Sequence, residues 1–343
     1  KRMSDKKIPL TSAEIGMLWT AYMNYSAAKC VLGFMLKSVE DLEIKPIVQF
    51  TYDISSENLE KLDTIFQKES YAVPTGFNEK DDVNENAPWL FTDIFCITYV
   101  NQMAKIGIVT YGAALSMSTR IDIRELFTEA MDQVIRLYNQ STDISLEKGI
   151  NTRHPYIGVP KETDFVDNKN YLSGLNPFSE KRPLNSIEIS HLYHNIITNS
   201  VGIKLCLAFA QTSPTKEVQE FMLRAKEISK KHIEVFAEKM LNEDITAPQL
   251  PDVAVSDSTT NTFSDKLAMF HITLMMSAGY GNYAAAGAAS QRSDLIVDYQ
   301  RLSLEVARLS KSGADIMITN KWLEQPPGTV NRDKLAKNKE KND

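Results

Sequence analysis

One block of sequence occurs twice in this chain, and that recurrence limits the fold more than any other feature. Pro9-Leu10-Thr11-Ser12-Ala13-Glu14-Ile15 returns as Pro183-Leu184-Asn185-Ser186-Ile187-Glu188-Ile189, an offset of 174 (183 − 9). Ala72-Val73-Pro74 returns as Thr246-Ala247-Pro248 at the same offset. After a two-residue slip the offset is 172: Phe91-Thr92-Asp93 pairs with Phe263-Ser264-Asp265, and Arg120-Ile121-Asp122 with Arg292-Ser293-Asp294. Arg136-Leu137 and Arg308-Leu309 continue the series, as do Asp143-Ile144 and Asp315-Ile316. Repeats of this kind build one structural unit per copy, so whatever the first half folds into, the second half repeats.

The periodicity within each copy is helical. Along 187–208, Ile187, His191, His194, Thr198, Val201, Leu205 and Ala208 recur every three or four positions, the spacing of one face of a 3.6-residue helix. Val218, Phe221, Met222, Ala225, Ile228, His232, Val235 and Phe236 do the same on a second arm. Thr212-Ser213-Pro214 separates the arms, with proline where a first helical turn tolerates its missing N–H. The first helix of each copy opens on a capping box, Thr11-x-x-Glu14 and Asn185-x-x-Glu188. A second helix follows at about 46–69 and 215–242. Polar loops at about 70–89 and 243–260 lead to a third helix near Asp93 or Asp265. A tight turn then leads to a fourth near Asp122 or Asp294, aspartates placed to cap and to complement the helix dipole. Short, long, short connections define a four-helix bundle with one crossover, the ferritin-like topology. The expected fold is therefore all-α: two tandem ferritin-like four-helix bundles from an internal duplication. The expected divisions are 1–150 and 184–325 for the bundles, an extended linker over 151–183 punctuated by Pro155, Pro160, Pro177 and Pro183, and a polar, frayed tail over 326–343.

Composition excludes several function classes. A net charge of −6 gives no electrostatic footprint for nucleic acid or anionic lipid. Hydrophobic content of 43% with 24% charged residues is that of a soluble globular chain. Cys30, Cys96 and Cys206 form no paired motif and fall in apolar stripes, which reads as reduced thiols of a cytoplasmic protein. Leu267–Gln291 lacks Asp, Glu, Lys and Arg, but its Gly, Ala, Ser, Asn and His content points to a buried central helix and not a membrane span. No secretory leader is apparent. The expected partners thus include neither nucleic acid nor a spanned membrane, and homo-oligomerisation stays open.

Several local sequences carry a family likeness: Glu14-Ile15 and Glu188-Ile189, Val73-Pro74-x-Gly76-Phe77, Leu90-Phe91-x-Asp93, Arg120-x-Asp122, Lys148-Gly149 and Lys231-His232-Ile233-Glu234. With them the chain, from Pro9 to about Pro327, resembles an uncharacterised family of tandem ferritin-like four-helix-bundle proteins found mainly in spore-forming Gram-positive bacteria. The resemblance implies the fold and a spore- or stress-associated setting, and it implies no established activity.

Candidate chemistry centres on histidine. Di-iron bundles of this topology use one Glu on each of two helices and Glu-x-x-His on each of the other two, and Glu-x-x-His is absent here. The second copy offers His191, His194 and His232 instead. His194 and His232 lie equally far from Ser213, so in an antiparallel hairpin they sit level. With a crossover, Asp298 on the fourth helix is the level carboxylate; in an up-down bundle His271 with Glu305 nearby would be level instead. His191, His194, His232 and Asp298 are the expected ligands of one transition metal, Fe or Zn, if the bundle holds one. The competing reading makes these histidines core residues bonded to neighbouring hydroxyls. The first copy has Met17, Thr20, Asn58 and Leu126 at those positions and cannot build the same centre. Gly279-Tyr280-Gly281 lies inside a helix and is no phosphate loop, and no nucleophile elbow occurs. The leading expectation is a non-catalytic structural or interaction protein, with a metal-dependent oxidase or metal store as the alternative.

Overall fold

A computed structural model describes residues 8–151, 153–248 and 254–339. The first copy forms α1 (Ser12–Leu36), α2 (Lys45–Glu69), a single turn α3 (Glu79–Asp82), α4 (Asp93–Met117) and α5 (Ile121–Glu147). The second forms α6 (Ser186–Thr212), α7 (Lys216–Leu241), α8 (Asp265–Ala289) and α9 (Ser293–Thr319). The starts of α1 and α6 differ by 174 and those of α4 and α8 by 172, as the repeat requires. Between the copies a 3₁₀ turn, Lys169–Leu172, is the one regular element among the described residues. In the tail, where a frayed terminus was expected, α10 (Arg332–Lys339) forms an exposed helix; residues 340–343 of that tail, and 249–253 of the second long loop, lie outside the described residues.

Helix direction follows from the caps. Glu14 accepts from the Thr11 amide with one oxygen, closing the capping box, and its other oxygen accepts from the Thr119 and Arg120 amides at 3.1 and 2.7 Å. The start of α1 therefore abuts the α4–α5 turn. Asp93, at the start of α4, accepts from the Glu40 and Asp41 amides of the α1–α2 turn at the opposite end. So α1 runs up, α2 and α4 run down, α5 runs up, and the segment after α2 crosses the length of the bundle. The second copy repeats this: Glu188 accepts from the Gln291 and Arg292 amides, and Asp265 from the Ser213 and Thr215 hydroxyls, both at 2.6 Å. Asp122 and Asp294 lie in the first turn of their helices as expected, but they bind the guanidinium of Arg120 and Arg292 and do not cap; those arginines occupy the N-cap positions.

The two crossovers meet. Val83 bridges to Phe263 and Phe91 to Val255, and the Asn84 amide donates to the Thr262 carbonyl at 2.8 Å. Gly76 in the first crossover has φ of 54°, and a β-carbon there would lie 2.7 Å from Ser26 Oγ, so glycine lets the chain lie against α1. One apolar cluster runs through both copies: Phe263 packs edge-on to Phe34 at 5.2 Å and to Phe209 at 5.9 Å between ring centres. This shared core explains a division of labour among helices. α2, α5, α7 and α9 bury one stripe and present charge elsewhere, whereas α1, α4, α6 and α8 are apolar round most of their circumference. α8 covers the uncharged stretch that was expected to be a central helix, and no described helix is long and apolar enough to cross a membrane. Cys30, Cys96 and Cys206 are free and buried.

Candidate functional site

Halfway along the second bundle each of its four long helices contributes one polar side chain to a common cluster. Asn199 on α6 donates from Nδ2 to the Tyr283 hydroxyl on α8 at 2.8 Å. The Tyr283 hydroxyl lies 2.8 Å from His232 Nδ1 on α7, and His232 Nε2 lies 2.7 Å from Glu305 Oε2 on α9. His232 is 1% exposed. Burial lowers its pKa against the opposing pull of Glu305, so the imidazole is neutral. For Glu305, burial acts upward, but Lys231 and His232 hold the carboxyl below its ordinary range, so it is a carboxylate and only accepts. These two states fix the tautomer: Nε2–H donates to Glu305, Nδ1 accepts from Tyr283, and the Tyr283 oxygen accepts from Asn199. Every member is satisfied, as a buried polar network must be. Beside it lies a cavity of about 60 Å³ lined by Thr198, Cys206, Ser229, Met275 and Gly279, among others.

The first bundle carries the same four positions with different chemistry. Removing the offsets of 174 and 172 converts Asn199, His232, Tyr283 and Glu305 into Tyr25, Asn58, Tyr111 and Gln133. Asn58 Nδ2 donates to Gln133 Oε1 at 2.7 Å, an amide pair where the second bundle has an imidazole and a carboxylate. Tyr25 and Tyr111 stack with ring centres 5.4 Å apart.

The histidine and aspartate set anticipated from spacing does not assemble. His232 is committed through both ring nitrogens. Asp298 pairs with Lys239 and Arg301, both at 3.1 Å. His194 is half-buried on another side of α6, where burial first, then the charges of Lys105, His154 and His191, push its pKa down to about 4. Of these, the Lys105 ammonium repels a cation. His191 is likewise held low by burial. Among the described residues no group of three or more His, Cys, Asp and Glu could hold a metal ion. Asn199, five residues past His194 on α6, is the side chain of that helix that joins the His232 cluster. Azimuth decides instead: successive helical residues are rotated by about 100°, and a helix covered on nearly all sides leaves no wet face to mark which side meets α7. His271, the other histidine weighed, places Nε2 2.7 Å from the Tyr99 hydroxyl of the first bundle, and burial holds its pKa down to about 4.

Asn199 and Tyr283 escaped the sequence reading, and Glu305 entered only beside His271 in the up-down alternative. Their signal was comparison of the two copies: each position is polar in both.

The arrangement defines a class, duplicated all-α proteins with a buried polar layer at mid-bundle and no assembled metal-ligand set among the described residues. The chain belongs to the family described as "Protein of unknown function (DUF3231)", which it matches twice, over residues 1–163 and 172–335. No curated protein matches it. Among solved structures it is similar to a protein from Bacillus halodurans assigned as a spore coat protein, at 15% identity over 46% of this chain and 98% of that one, with a TM-score of 0.38.

Proposed function

We propose that this chain is a non-catalytic structural or interaction protein whose histidines serve the packing of its bundles. The observation that carries the reading is the closed chain Asn199–Tyr283–His232–Glu305: with Nε2–H donated and the Nδ1 lone pair occupied, His232 has no electron pair left for a metal. We read the two units as ferritin-like because one short, one long and one short connection with a crossover is the order of those bundles. Units over 1–150 and 184–325, a linker over 151–183 and a tail over 326–343 complete the description. The spore- or stress-associated setting rests on the family resemblance, and fractionation of sporulating cells tests it.

The chemical reading is tested by elemental analysis of untagged protein after resupply with Fe and Zn, alongside the double variant His232→Asn, Glu305→Gln. That variant copies the amide pair of the first bundle into the second. The expected result is no stoichiometric metal in either protein and retained helicity in the variant. One equivalent of metal in the parent, lost in the double variant, would overturn the reading.

A further inference from the structure

The duplicated mid-bundle layer is closed in the second bundle and open in the first. In the second, the hydroxyl of Tyr283 is bonded on both sides. In the first, Tyr111 and Asn58 approach the buried Tyr25 hydroxyl as donors without reaching full hydrogen-bond geometry, and among the described residues its own proton has no acceptor. His271, which reaches across from α8, is 3% exposed; its Nε2 is engaged by Tyr99 and its Nδ1 is unpartnered. Both residues line the same cavity of about 80 Å³, which lies between α1, α2, α4 and α5 and is walled on one side by α8. Its remaining wall is mainly apolar, including Ala28, Met103, Ile106 and Leu274, all half-buried at the mouth.

A buried polar group without a partner costs about 1–3 kcal/mol, and two such groups facing one space are the mark of an absent partner. From this geometry we infer that the cavity is a binding site for a small uncharged molecule with a compact hydrocarbon body and one hydroxyl or carbonyl oxygen. The hydrogen-bond roles select that class. Among the described residues the Tyr99 hydroxyl has His271 as its one partner, so it donates to Nε2, which leaves Nδ1–H of the neutral imidazole seeking an acceptor. The Tyr25 hydroxyl also has a proton to donate. A ligand oxygen with two lone pairs can accept both, while the hydrocarbon part rests on Met103, Ile106 and Leu274. A carboxylate is selected against, because among the described residues no Lys or Arg lines the cavity and an isolated buried charge is strongly disfavoured. Size selects further: an engineered cavity of about 150 Å³ in another protein encloses benzene, so one of about 80 Å³ encloses the oxygen-bearing half of a five- or six-carbon ring and leaves the rest of the ring at the mouth. The second cavity is the internal control, since its polar layer already has all its partners.

The experiment uses the full chain with methyl-labelled methionine and follows titration with cyclopentanol by NMR. The expected result is a saturable shift of the Met103 methyl, with Met275 and Met276 of the second cavity unmoved and cyclopentanecarboxylate inert at neutral pH. Tyr25→Phe keeps the ring and removes the hydroxyl, and it should weaken cyclopentanol about tenfold, the order of one hydrogen bond. Ala28→Leu should abolish binding by filling the mouth; should that variant misfold, Tyr25→Phe decides alone. A Met103 methyl that does not respond up to the solubility limit would overturn the inference. So would equal shifts at Met275, or a Tyr25→Phe variant that binds as tightly as the parent.

Discussion

Glu188 offers the sharpest test of how the second bundle is held together. Its carboxylate is 0% exposed and joins three segments. Oε1 accepts from the Asn185 amide at 3.1 Å and Arg182 Nη1 at 2.7 Å; Oε2 accepts from Arg182 Nη2 and from the Gln291 and Arg292 amides at 3.0 and 2.9 Å. Burial acts to raise its pKa, but Arg182 and the three backbone amides prevail and bring it down to about 2 from an ordinary 4.5. Glu188→Gln keeps the shape but turns an amide NH₂ toward donors and leaves Arg182 unpaired. Breaking a buried pair in this way costs about 3–5 kcal/mol. With about 2.1 cal/mol/K of unfolding entropy per residue, the whole chain unfolding as one unit would lose about 4–7 °C in Tm. Because the folded pKa is depressed, the carboxylate's contribution is fully present above about pH 4.5 and disappears as pH falls toward 2. Urea unfolding followed by circular dichroism, at pH 7 and at pH 3, should therefore show a gap between parent and Glu188→Gln that narrows at the lower pH. The equivalent Glu14 accepts from three backbone amides with no arginine, so Glu14→Gln should cost less at pH 7. A loss below about 1 kcal/mol for Glu188→Gln, or a gap unchanged at pH 3, would refute the assignment of stability to this carboxylate.

Duplication allows the same substitution to be made twice with opposite outcomes. A β-carbon at Gly107 would sit 2.8 Å from Val134 Cγ1, whereas at the equivalent Gly279 nothing lies within 4 Å. Gly107→Ala should then destabilise by about 1–3 kcal/mol through overpacking, while Gly279→Ala should stabilise by up to about 1 kcal/mol through helix propensity; denaturant midpoints decide the signs. His271 is held down to about 4 from an ordinary 6.5 by burial, so its neutral form contributes stability above about pH 6.5 that is lost as pH falls through 4. Thermal melts of parent and His271→Gln across that range should show the steeper acid loss in the parent, and parallel curves would contradict the assignment.

The repeat, the capping boxes at Thr11–Glu14 and Asn185–Glu188, and the alternation of short and long connections are all local, and they were legible without coordinates. Helix count, order and the crossover follow from them, because caps and loop lengths act within a few residues of where they are written. Tertiary structure alone decided three things. It turned Asp122 and Asp294 from caps into partners for Arg120 and Arg292, since a carboxylate beside a guanidinium forms the stronger pair. It joined the two crossovers and placed His271 of one bundle against Tyr99 of the other, a pairing between residues 172 positions apart that no local pattern announces. And it rotated α6 so that Asn199, not His194, faces His232. Periodicity reveals a face only when the opposite face is wet; α6 is covered on nearly all sides, so packing alone set which of its polar residues enters the core.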